Sequence, residues 1–148
     1  MTMKITDYDF IRYHYRKLLE NFKYKTDQQK HGVLEFWEND EVLQSALKGL
    51  TLVGDCEEFA RTCMMKARER IELKARLIVC LTELGEGHCI CEVSSLDEKE
   101  SYILDNRQQQ LMTYDKLKYT FVAASPWNPE PGDKRSWIRL APPAPAAK

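Results

Sequence analysis

Three side chains in this 148-residue sequence have the types and the order for nucleophilic chemistry: Cys56, then His88, then Asp105. Cys56 stands between Gly54-Asp55 and Glu57-Glu58, a stretch that reads as the first turn of a helix. The unpaired N–H groups and partial positive charge of a helix N-terminus favour the thiolate, which is the nucleophilic form of cysteine. The same N–H groups can stabilise the oxyanion of a tetrahedral intermediate. His88 opens a strand directly after Gly85-Glu86-Gly87, and Asp105 ends the next strand. Two hairpin-linked strands can set imidazole beside carboxylate, which completes a set of nucleophile, base and orienting group. Each residue alone has a plainer reading, as a packing cysteine, an edge histidine and a turn aspartate.

The elements that must position them follow from periodicity. Ile11, Tyr15, Leu18, Leu19 and Phe22 recur with helical spacing and predict one amphipathic helix from Asp7 onward. A shorter helix over Glu41 to Lys48 has Asp40 as N-cap and Gly49 as its stop. A third begins at Asp55, with Asp55 and Glu58 arranged as a capping box and Phe59, Ala60, Cys63, Ala67 and Ile71 on its buried side. Strands are expected near 76–83, 88–95, 101–105, 120–125 and 136–140. His88 and Ile90 should share one face, and Cys89 and Cys91 the other. Helices first and hairpin-linked strands second is the order of an α+β domain, with N-terminal helices packed on an antiparallel sheet. One domain is expected over 1–141, followed by a disordered Pro/Ala tail at 142–148.

Composition narrows the function classes. Lys and Arg total 22 against 23 Asp and Glu, a net charge of −1, which disfavours a nucleic-acid partner. No apolar run has the length of a membrane span, and the first residues lack the apolar segment of a secretory signal. The expectation is a soluble cytoplasmic monomer with no membrane partner. Five cysteines are an odd number for a disulfide framework, and His14, His31 and His88 are too scattered for structural zinc. Trp37 and Trp127 are candidates for the wall of a substrate site, with core closure as the alternative.

The stretch from Asn21 to Ala60 resembles the bacterial transglutaminase-like cysteine proteinase family, a branch of the papain-like and transglutaminase-like superfold. The pattern is Asn21, Tyr24, Asp27, Gly32 and Trp37, then Gly54-Asp55-Cys56-Glu57-Glu58-Phe59-Ala60. Gly87-His88-Cys89-Ile90-Cys91 and Leu104-Asp105-Asn106 look like the family's histidine and aspartate blocks. The resemblance runs over about residues 15 to 110. It implies a Cys56–His88–Asp105 triad acting on a protein or peptide substrate. The chemistry implied is hydrolysis of a peptide, isopeptide or other amide bond through a thioester. Transfer of the acyl group to an amine and a catalytically silent interaction domain acting on a host protein are the alternatives. The compact form looks like phage-encoded members, which act in the host cytoplasm. No cofactor is required. Calcium-dependent members carry acids beside the nucleophile, so calcium could be held by Asp55, Glu57 and Glu58. Those acids are assigned first to capping and dipole roles, with no metal site.

Overall fold

The computed structural model describes residues 3–21, 40–48 and 56–140. Within them lie helices α1 (Ile5–Asn21), α2 (Glu41–Leu47) and α3 (Cys56–Ala67). Strands follow: β1 (Leu73–Leu81), β2 (Gly87–Ser95), β3 (Ser101–Leu104), β4 (Thr120–Ala124) and β5 (Ile138–Arg139). Phe22, Trp37, Gly49, Asp55 and the 142–148 tail lie outside the described residues. No described helix is long and apolar enough to cross a membrane.

The strands form one antiparallel sheet in the order β3-β2-β1-β4-β5. β1 is continuously apolar from Leu77 to Leu81, where both of its faces are covered. Ala75, Leu77 and Val79 face the larger core beneath α1, α2 and α3, whereas Ile78 and Cys80 face a smaller one with Ile90 and Ile103. The β1–β2 turn closes where Gly85 takes φ +79°, a conformation that L side chains rarely adopt. Asp40 caps α2 as expected, its Oδ1 accepting the Leu43 N–H at 2.9 Å, and its Oδ2 accepts the Trp137 N–H at 2.8 Å.

Of the boundaries that differ from the sequence reading, two move furthest. β1 begins at Leu73, because Lys74 and Arg76 take the alternating polar positions of a strand rather than belonging to a loop. α3 ends at Ala67, and Ile71 is 91% exposed in the turn that follows instead of lining the helix.

A displacement in β4 has larger consequences. Along β1, the neighbours Val79 and Cys80 pair with Ala123 and Phe121, so Val122 is an extra residue. Such a bulge reverses the side-chain alternation beyond it. Ala123 therefore faces the larger core, while Phe121 and Tyr119 turn to the smaller one.

Candidate active site

Antiparallel pairing brings four strand ends to one edge of the sheet. They are the end of β1 at Leu81, the start of β2 at Gly87, the end of β3 at Leu104 and the start of β4 at Thr120. There the His88 Nε2 lies 2.7 Å from Asp105 Oδ1, with both side chains buried. Asp105 Oδ1 also accepts the Arg107 backbone N–H at 2.9 Å, and Oδ2 accepts the Tyr119 hydroxyl at 2.6 Å. Burial is the largest single influence on this carboxyl and pushes it up. The His88 bond and charge, the Tyr119 hydroxyl and the Arg107 amide together outweigh it, so the group titrates below its ordinary value. An ionised carboxylate only accepts hydrogen bonds. The imidazole proton is thereby assigned to Nε2, and Nδ1 presents the lone pair that a general base uses.

Asp105 is held through its backbone as well. The hydroxyl of Tyr15, fully buried on α1, lies 2.8 Å from both the Asp105 and the Gln108 carbonyl oxygens and 3.3 Å from that of Gln110. The helical stripe thus contributes a side chain that ties the far end of the sheet to α1.

Cys56 is the first residue of α3 and is buried against β2 in the larger core. The β3 ladder stops at the pair Cys91↔Leu104, which leaves the edge of β2 uncovered at Cys89. The Cys89 N–H reaches the Cys56 sulfur there. Burial pushes the thiol up to about 12, and the charges of Glu57 and Asp105 add to the rise. The N–H groups of Cys89 and Glu57 pull the other way and do not prevail. The expected preference for thiolate is thus reversed in the resting protein, because desolvation exceeds what helix N–H groups return.

His88 and Asp105 are therefore brought together, whereas the hydrogen bond of the His88 ring goes to Asp105 and none joins it to Cys56. Ile90 belongs to the smaller core, and Cys89 and Cys91 sit with Cys56 in the larger, as strand alternation requires. The thiol thus comes from the helix side of the sheet end. The imidazole packs against the Tyr119 ring on the other, their centroids 5.6 Å apart.

Trp127 is elsewhere, which corrects its expected place in the site wall. Its ring packs over the Arg76 guanidinium at 4.2 Å and the Lys74 ammonium at 4.6 Å. Those residues lie three and five positions back along β1 from Val79, the partner of Cys89, a span of roughly 10–16 Å. Ser125 and Asn128 fix the segment there, bonding to the Leu77 and Ala75 backbone at 2.9–3.0 Å. The indole is a platform for two cations with separate partners: Arg76 Nε donates to the buried Glu92 at 2.8 Å, and Lys74 Nζ donates to Glu98 at 2.8 Å.

Glu57 is buried and pairs with Arg61 at 3.3 Å, one helical turn on. Among the described residues no three metal-ligating side chains cluster. A cavity of about 280 Å³ lined by Met3, Asp7, Glu72 and Ser95 lies toward the opposite end of β2, away from Cys56 and His88.

A family profile described as bacterial transglutaminase-like cysteine proteinase matches residues 10–143. Two solved structures of Legionella pneumophila LapG, one of them EGTA-treated, are similar in fold. Each superposes with a TM-score of 0.53 at 17% identity, covering 84% of this chain. The chain spans 66% of the length of each of those two. No curated protein matches the sequence.

Proposed function

The chain belongs to the bacterial transglutaminase-like cysteine proteinase family, and from that premise we propose that it cleaves an amide bond of a protein or peptide with Cys56 as nucleophile. The observation that carries the reading is the buried 2.7 Å bond from His88 Nε2 to Asp105, at the sheet end where α3 presents Cys56. Nδ1 of His88 accepts the thiol proton as sulfur attacks the substrate carbonyl. The resulting imidazolium gives that proton to the departing amine. Water then attacks the thioester, losing a proton to Nδ1, and the sulfur leaves and recovers a proton as the acid product departs. Asp105 stays ionised throughout and holds the Nε2–H tautomer. Burial pushes the Cys56 thiol up, which supports a nucleophile generated by proton transfer within the complex.

No step is routed through calcium. Glu57 is directed into the protein and toward Arg61, an arrangement that fits a helix-stabilising role better than a ligand set. Five free, buried thiols accord with a reducing compartment, so the cytoplasm, that of a host for a phage-encoded protein, forms part of the same proposal.

The test is peptide-bond cleavage in a mixed peptide library, read by mass spectrometry. Cys56→Ala should abolish the products, and full cleavage by that variant would overturn the reading. Adding a primary amine separates hydrolysis, which yields free carboxyl ends, from transfer, which yields amides. A chain that cleaves nothing in either form would instead be an interaction domain.

A further inference from the structure

We infer that Tyr119 is a positioning residue, its hydroxyl fixing the Asp105 carboxylate and, through it, the His88 ring. The inference rests on the catalytic reading above but stands on its own geometry. A tyrosine hydroxyl has one hydrogen to give and oxygen lone pairs to accept with. Arg107 Nη1 at 3.1 Å and Gln108 Nε2 at 3.3 Å both donate to the Tyr119 oxygen. Its single hydrogen is thereby directed to Asp105 Oδ2, 2.6 Å away.

Arg107 is itself held by two bonds to Glu83, at 2.8 and 3.3 Å. On the other oxygen, Asp105 Oδ1 meets His88 and the Arg107 N–H. With both oxygens engaged from different directions the carboxylate has no freedom to swing, and neither does the imidazole bound to it. Tyr119 reaches this face only because the bulge at Val122 reverses the alternation of β4. A chain pairing β4 without that extra residue would turn Tyr119 toward the helices. The bulge therefore aims one hydroxyl at one carboxylate, a use to which irregularities beside active sites are often put.

The competing account is that Tyr119 is a core ring whose hydroxyl happens to be satisfied. Tyr119→Phe separates the two, because it keeps the ring against His88 and removes only the donor. The readout is the imidazole spectrum of His88 in the nitrogen-labelled full chain, which requires no substrate. In the wild type the two ring nitrogens should report a single Nε2–H tautomer with a slowly exchanging proton. In Tyr119→Phe they should report a mixture of tautomers, with that proton exchanging about tenfold faster or more, the loss expected for one bond to a charged group.

Arg107→Gln, at a more exposed position, should change the spectrum in the same direction by less, and it decides the matter if the tyrosine variant does not fold. A lower melting midpoint with the His88 spectrum unchanged would overturn the inference and leave the Cys56 reading intact. Cleavage surviving in Cys56→Ala would overturn that reading without touching the spectrum.

Discussion

Replacing Tyr15 by Phe isolates the tie between α1 and the backbone of Asp105. The aromatic ring is retained, along with its edge contact to Phe59 at 6.1 Å between centroids, so no cavity of consequence opens. What disappears is a buried donor set 2.8 Å from the Asp105 and Gln108 carbonyls. The Asp105 carbonyl keeps a second partner, the Gln108 N–H at 3.1 Å, so the larger penalty falls on the Gln108 oxygen. One lost hydrogen bond is worth about 1 kcal/mol, and leaving the part-buried Gln108 acceptor unmet adds about 1–2, for about 2–3 kcal/mol in total. In urea, where slopes run at about 1–3 kcal/mol per molar, the midpoint should fall by about 1 M with the slope unchanged. The assay is far-ultraviolet circular dichroism across a urea series. A midpoint within about 0.3 M of the wild type would refute the claim that this hydroxyl anchors the site.

Three other outcomes are expected. Asp105 titrates below its ordinary value of 3.8 when folded, so its ionised form adds stability above about pH 3.8 that is lost as pH falls through the folded value. The stability gap between wild type and Asp105→Asn should hence be constant from about pH 5 to 7 and shrink below about 3.8, which urea melts at each pH would record. The Cys56 thiol, pushed up to about 12, should contribute no thiolate absorbance between about pH 5 and 9 in the difference spectrum of wild type against Cys56→Ala. A step near neutrality would contradict burial as the dominant influence. Millimolar calcium and a chelator should give the same melting midpoint, since Glu57 is occupied by Arg61; a midpoint raised by calcium would require a site.

The helices and most strands were readable because their signals are local. Asp40 before an apolar run caps as its type dictates, and the alternation from His88 to Cys91 assigns faces correctly. The His88–Asp105 pair was legible because both residues end hairpin-linked strands, where register leaves little choice. Tyr119 carried no such signal. Its placement depends on an extra residue in β4 that appears only when β4 is laid against β1. Trp127 misled for a related reason: an indole in a Pro-rich loop says nothing of which face the loop crosses, and hydrogen bonds to Ala75 and Leu77 settled that. The thiolate expectation failed on magnitude. A helix start favours the ion, but a buried one does so too weakly to offset the lost water.

The bond between Tyr15 and Asp105 crosses 90 residues of sequence, and the carboxylate is complete only with Tyr119. During synthesis the first of these residues therefore precedes the last by 119 − 15 = 104 positions. At translation rates of about 5–20 residues per second, the nascent chain spends roughly 5–20 s with Tyr15 made and Tyr119 still to come. By the later part of that interval Cys56 and His88 exist, yet the aspartate lacks its clamp. A ribosome carrying the unfinished chain consequently lacks the clamped Asp105 carboxylate, which is completed late, with the closing of long loops in the fold.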